Sequence, residues 1–249
     1  MFSFRRVALL VALGLPAAQL MFAQDSSSSS NPPAQQQTQQ TANDNQGSQS
    51  VQARIRARRE GRRAAAIKDV YSHLYELHTG MGYQRFKPGD GIDGKGLQRT
   101  TFYAWDVDFT RYYSQRFGVT LDARGYYGTA FVGLNPFNVT RPAISTYDGL
   151  GGITYRFYMQ PRYSIAVRGM GGVADGHFSG DTNGFGAKTL GLWDDGITFA
   201  GSGAVIGEYN VTPALGLRLA PEYFLTGFGS SVQASRGFTA GFVFRFGKQ

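Results

Sequence analysis

The stretch FTAGFVFRFGKQ, residues 238–249, alternates with a period of two. Phe238, Ala240, Phe242, Phe244 and Phe246 take one parity, and Thr239, Gly241, Val243 and Arg245 take the other. Successive side chains of a strand point to opposite faces, so this ribbon has an aromatic face and a face that carries an arginine. A soluble sheet also has one apolar and one polar face. What surrounds this ribbon therefore depends on whether the rest of the chain repeats the pattern.

It does, from Tyr71 onward. Tyr75, Leu77, Thr79, Met81 and Tyr83 alternate with Glu76, His78, Gly80, Gly82 and Gln84; Tyr103, Trp105, Val107 and Phe109 alternate with Ala104, Asp106, Asp108 and Thr110. Phe117, Val119, Leu121, Ala123 and Tyr127 oppose Thr120, Asp122, Arg124 and Tyr126, and Tyr147, Ile153, Tyr155 and Phe157 oppose Asp148, Thr154 and Arg156. Tyr163, Ile165, Val167 and Val173 oppose Ser164, Arg168 and Met170. A glycine-rich sixth segment, about 197–209, sets Phe199, Val205 and Tyr209 against Ser202 and Glu208. Leu215, Leu217, Leu219, Tyr223 and Leu225 oppose Arg218 and Glu222, and the opening stretch is the eighth segment.

Short turns near Gln115, Gln160 and Val211 alternate with long polar connections over 85–100, 128–143 and 174–196, and the last connection, 227–236, is intermediate. Short turns alternating with long loops are the mark of a transmembrane barrel, whose strands need about 9–11 residues to cross the bilayer. The pattern predicts an all-β fold, an eight-stranded antiparallel up-and-down transmembrane β-barrel over 71–249. Periodicity alone leaves a soluble sandwich open, with its apolar face inward; the leader peptide described below and the loop alternation favour the membrane.

In the barrel the charged face points inward, because a charge on the lipid face near the midplane costs about 2–4 kcal/mol. The expected interior network is Glu76, His78, Asp106, Asp108, Asp122, Arg124, Asp148, Arg156, Arg168, Glu208, Arg218, Glu222 and Arg245. Reflection through the turn at Gln115 sets Asp106 opposite Arg124, and barrel closure sets Glu76 beside Arg245. The expected lipid-facing aromatics are Tyr75, Tyr103, Trp105, Phe109, Phe117, Tyr155, Phe157, Tyr163, Tyr223, Phe238, Phe242, Phe244 and Phe246. Eight strands leave a lumen that side chains fill.

Composition agrees. Glycine is 34 of 249 residues, about twice the usual share, aromatics are 14%, and cysteine is absent, which excludes disulfides and thiolate sites. Residues 1–23 have the layout of a secretory signal peptide, with Arg5 and Arg6 before an apolar run and Ala23 as the expected cleavage site. Residues 24–50, rich in Ser, Gln and Asn, form an expected disordered polar linker. Residues 51–70 carry Arg54, Arg56, Arg58, Arg59, Arg62, Arg63 and Lys68 against Glu60 and Asp69, a basic arm expected to be a short periplasmic helix. Its bland reading is a solvated face; the sharper one is contact with cell-wall polymer or anionic lipid phosphates. The net charge of +8 belongs largely to this arm and the leader, and nucleic acid is not an expected partner of an exported chain.

With the alternating strands and the closing GFTAGFVFRFG on the page, the chain resembles the OmpA-like/OmpX-like family of small outer membrane β-barrels. The resemblance covers roughly 71–247 and is architectural. It implies an outer membrane location, contact with outer membrane lipids, insertion by the barrel-assembly machinery and a polar, plugged interior; a monomer is expected. Two features depart from the family: Phe246 is followed by Gly247, Lys248 and Gln249 rather than ending the chain, and no separate C-terminal peptidoglycan-binding domain is seen.

Catalytic and cofactor signals are weak, and no catalytic, metal or cofactor residue is expected. His73 and His78 face opposite sides of the first strand, and no serine is seen to converge on either; His177, in DGHFSGD, reads as a loop residue. Asp181-Thr182-Asn183-Gly184 begins like a calcium loop, but Phe185 and Leu192 stand where oxygen ligands belong. The leading expectation is a non-enzymatic protein, structural or acting through its extracellular loops. A narrow small-solute channel is the alternative, and a lipid-modifying enzyme a more remote one.

Overall fold

The computed structural model describes residues 36–92, 94 and 96–248. The expected signal peptide and residues 24–35 of the expected linker lie outside them. The chain divides between Ala53 and Arg54 into two units. The described part of the first is the beginning of helix α1 (Gln36–Tyr71), a 36-residue element that takes in residues 36–50 of the expected linker. Gln, Ala and Arg, good helix formers, dominate it and outweigh the polar composition. Within the second unit the helix surface is exposed from Arg54 to Ala65, and burial begins only at its last turn, where Val70 and Tyr71 are enclosed.

Eight strands follow: β1 (His73–Phe86), β2 (Thr100–Tyr112), β3 (Phe117–Thr129), β4 (Ala143–Met159), β5 (Tyr163–Gly180), β6 (Gly196–Asn210), β7 (Leu215–Thr226) and β8 (Gln233–Lys248). Each pairs antiparallel with its sequence neighbours and β1 pairs with β8, closing the barrel in the order of the chain. Turns of three or four residues, 113–116, 160–162 and 211–214, share one end; the long connections 87–99, 130–142 and 181–195 share the other with the shorter 227–232. The β6–β7 ladder has no pairs between Ala204↔Glu222 and Gly207↔Leu219, the point where Pro221 can donate no hydrogen bond.

The strands run further toward the long loops than the apolar pattern suggests. β5 has 18 residues, against the 9–11 that span a bilayer, and the region 174–180, expected in a loop, is strand. Its outward residues turn from Val173 to Asp175 and His177, so the alternation of apolar residues stops where the strand leaves lipid for water. The outward face below that level is a continuous apolar belt of exposed side chains, including Leu77, Met81, Val107, Leu121, Ile153, Val167, Val205, Leu217 and Leu219. A belt of this extent on a closed barrel is a lipid-facing surface.

Aromatic rows border it. Tyr75 stacks between Phe109 and Phe246 near the turns, at 5.5 and 5.6 Å. Tyr83 packs on Phe238 and Tyr103 near the loops, at 5.6 and 6.2 Å. Eight residues of β1, about 26 Å of strand, separate the two rows, which suits a tilted crossing of the hydrocarbon.

Candidate functional site

Parity sends every charged residue of the strand centres into the lumen. All thirteen residues of the expected network have side chains that are at least nine-tenths buried there, Glu222 at 4% side-chain exposure being among the more accessible. They stack in three levels between the turns and the loops.

At the turn end, Tyr71 caps the lumen. Its hydroxyl donates to the Gln160 carbonyl and accepts from Asn210 Nδ2, each at 2.8 Å, and its ring lies 5.2 Å from the Arg156 guanidinium. Arg156 also sits over the Tyr112 ring at 3.9 Å and donates to Glu76. Arg245 donates to Glu76 Oε1 at 2.6 Å, to Glu208 Oε2 at 2.8 Å and to Asn210 Oδ1 at 2.8 Å. Glu76 and Arg245 are thus in contact as well as opposite one another in the β1–β8 register.

The middle level turns on Arg218, which binds its register partner Glu208 at 2.7 Å and reaches across the lumen to Asp108 at 2.9 Å and Glu76 at 3.1 Å. Arg168 donates to Asp108 at 2.7 Å. His78 Nδ1 lies 3.3 Å from Asp108 and 3.9 Å from Asp106, without the direction of a hydrogen bond to either.

Nearest the loops, Arg124 forms a two-point contact with Asp122, at 2.6 and 2.9 Å, donates to Glu222, and reaches the Tyr126 hydroxyl at 3.3 Å. Asp106 is its register partner, yet the guanidinium turns to Asp122 on its own strand and leaves Asp106 at 3.9 Å. Asp106 and Asp148 accept no hydrogen bond among the described residues.

Above Arg124 the interior changes character. Phe86, Phe102, Phe178 and Phe228 pack ring on ring with centroids 4.9–6.2 Å apart. Leu190, Leu192 and Trp193 from the β5–β6 loop close over them in one buried cluster. The interior is therefore polar through all three levels up to Arg124 and apolar above them, where the expected polar lumen gives way to aromatic rings. The signal was present, since Phe86 shares the parity of Glu76 and Phe102 that of Asp106.

The loops are likewise folded down rather than free. Gly91 N–H donates to the Gly191 carbonyl at 2.9 Å, and Trp193 Nε1 donates to the Lys87 carbonyl at 2.8 Å. A Cβ on Gly89 would lie 2.0 Å from the Gly191 oxygen, so this approach requires glycine.

Among the expected outward aromatics, Tyr103, Trp105, Phe109, Phe117, Tyr155, Phe157, Tyr163, Tyr223, Phe238, Phe242, Phe244 and Phe246 are exposed on the outer face, and Tyr75 is half-buried between its ring neighbours. His177 is not in a loop: it stands on the outer face of β5, opposite Ser145, with Nε2 3.4 Å from Asp175. No hydrogen bond joins it to Ser145 among the described residues. His73 contacts the Val70 carbonyl at 3.0 Å. Among the described residues, the only His and acidic side chains that converge in a group of three are His78, Asp106 and Asp108.

No protein-family model matches the chain, and no curated protein matches it in sequence. Among solved structures, Neisserial surface protein A aligns over 69% of this chain and 97% of its own, at 12% identity and a TM-score of 0.49. Ail, the attachment invasion locus protein of Yersinia pestis, aligns over 70% and 99%, at 13% identity and a TM-score of 0.42. Outer membrane protein OprG from Pseudomonas aeruginosa aligns over 71% and 97%, at 12% identity and a TM-score of 0.47. Closed, antiparallel, wound in chain order and belted with apolar residues, the chain has the fold of the small eight-stranded outer membrane β-barrels.

Proposed function

We propose that this chain is a non-enzymatic protein of the bacterial outer membrane, with a plugged barrel that holds its loop end as a surface for contact with the surroundings. Helix α1, the three short turns and the C-terminus lie in the periplasm, and the long loops lie outside. The observation that carries this reading is the filled lumen: Tyr71, three levels of ion pairs and an aromatic cluster occupy it in succession. Catalysis finds little support, because His78 is wholly enclosed and, among the described residues, no nucleophile is hydrogen-bonded to His177. The arginines of α1 face anionic cell-wall polymer or lipid phosphates, and Arg63 reaches the barrel at Gln160 of the β4–β5 turn.

Planar-bilayer recording of the purified chain tests the plug. A flat baseline is expected; steady unitary openings from the unaltered protein would favour the narrow channel instead. Orientation is read separately, since the chain has no cysteine of its own. A membrane-impermeant maleimide on intact cells labels Thr189→Cys in the β5–β6 loop and leaves Ser114→Cys in the β2–β3 turn untouched. The reverse pattern refutes the assigned orientation.

A further inference from the structure

We propose that His78, Asp106 and Asp108 form a buried divalent-cation site in the middle of the lumen, of the chemistry that suits Zn²⁺. His78 of β1 faces Asp108 of β2, Asp106 stands diagonally two residues along β2 on the same face, and their candidate ligand atoms lie within 4.8 Å of one another. A tetrahedral Zn²⁺ with bonds of about 2.0–2.2 Å sets its ligand atoms roughly 3.3–3.6 Å apart. The His78 Nδ1 to Asp108 Oδ2 separation is 3.3 Å and that to Asp106 Oδ2 is 3.9 Å, so small side-chain adjustments close the polyhedron. One imidazole with two carboxylates is a donor set for a borderline cation rather than for the oxygen-loving Ca²⁺ or Mg²⁺.

Two further observations point to a ligand. Both Asp106 oxygens and both His78 ring nitrogens are fully enclosed and make no hydrogen bond, an arrangement costly for polar groups in a dry interior. The lumen also holds seven carboxylates, Glu76, Asp106, Asp108, Asp122, Asp148, Glu208 and Glu222, against the five arginines 124, 156, 168, 218 and 245. Carboxylates thus outnumber arginines by two in the lumen. Arg168 and Arg218 donate to the same Asp108 Oδ2, at 2.7 and 2.9 Å, and Arg218 also to Oδ1 at 3.1 Å, so Asp108 is fixed in orientation and a bound cation shares its carboxylate with both guanidiniums. Because the lumen is closed at both ends, the cation enters as the barrel folds.

The test refolds the full chain into detergent with Zn²⁺ or with chelator, then removes free metal and measures bound metal by mass spectrometry. About one Zn²⁺ per folded chain is expected after refolding with the metal, and a raised temperature for loss of the heat-resistant folded band on gels. Co²⁺ in place of Zn²⁺ gives visible absorption with a histidine ligand. Asp106→Asn and His78→Gln each lower retained metal at least tenfold, and either one suffices if the other fails to fold. His177→Ala, which removes the exposed imidazole beside Asp175, leaves the stoichiometry unchanged. A folded wild-type chain that retains less than a tenth of an equivalent, or retention equal in wild type and the lumen variants, overturns the proposal.

Discussion

Removing Arg124 should destabilise the barrel more than removing Arg218, although Arg218 makes more hydrogen bonds. Arg218→Met withdraws bonds from Asp108, Glu208 and Glu76. Each retains another arginine: Arg168 at 2.7 Å for Asp108, and Arg245 at 2.8 Å for Glu208 and at 2.6 Å for Glu76. The expected cost is that of one set of charged hydrogen bonds, about 2–3 kcal/mol. Arg124→Met leaves Asp122 and Glu222 with only Arg168, at 3.8 and 3.9 Å, and removes the nearest arginine from Asp106. Stranding buried charge in this way costs about 3–5 kcal/mol. Adding Asp122→Asn removes one stranded carboxylate and returns the lumen to its original charge balance, so the double variant should recover about half of the loss. Urea unfolding in lipid vesicles, followed by the fluorescence of Trp105 and Trp193, measures all three. An Arg124→Met chain within 1 kcal/mol of wild type, or no less stable than Arg218→Met, refutes the reasoning.

Three other outcomes are expected. Leu219→Arg places a cation on the middle of the outer belt and lowers vesicle-folded stability by about 2–4 kcal/mol, whereas the same measurement on Val232→Arg, in the loop, shows little change. Gly191→Ala forces a Cβ to 2.3 Å from the Gly91 carbonyl carbon at a φ of 73°, so the loops 87–99 and 181–195 separate. Limited proteolysis then cuts there while the barrel stays folded; unchanged loop protection counts against the clasp. Tyr71→Ala removes two hydrogen bonds and a ring over Arg156, for about 2–3 kcal/mol, and Tyr71→Phe should lose roughly half as much.

The strands were legible because their side chains alternate strictly, and the register because three of the connections are short. Reflection through Gln115 alone places Asp106 opposite Arg124, as the ladder has it. What that arithmetic does not supply is where a long side chain goes. Arg124 turns along its own strand to Asp122, and Arg218 reaches across the lumen to Asp108, contacts that depend on strand tilt and stagger rather than on sequence spacing. The strand ends toward the loops were hidden for another reason. Apolar alternation reports lipid, so it stops at Val173 although β5 continues to Gly180. Leu190, Leu192 and Trp193 belong to no alternating run, so the sequence carries no sign that they cover the aromatic mouth.

The network also explains how a barrel with so smooth an outer face finds its register. Lipid contacts alone discriminate weakly at the β1–β8 seam, because Phe242, Phe244 and Phe246 repeat at every second position and a slip by two exchanges one phenylalanine for another. The interior is not repetitive. Glu76 sits opposite Arg245, and a slip of two residues would put Val243 or Gly247 there instead. The same carboxylate accepts from Arg156 on β4 and Arg218 on β7, so a misplaced β8 would take Arg245 away from a site to which β1, β4 and β7 are already committed. Tyr71 at one end and the aromatic cluster at the other keep the site dry, which makes the loss of a partner there cost several kcal/mol rather than a fraction of one. Closure is therefore selected by the charges inside the wall, while the phenylalanines outside determine only which side of the wall faces lipid.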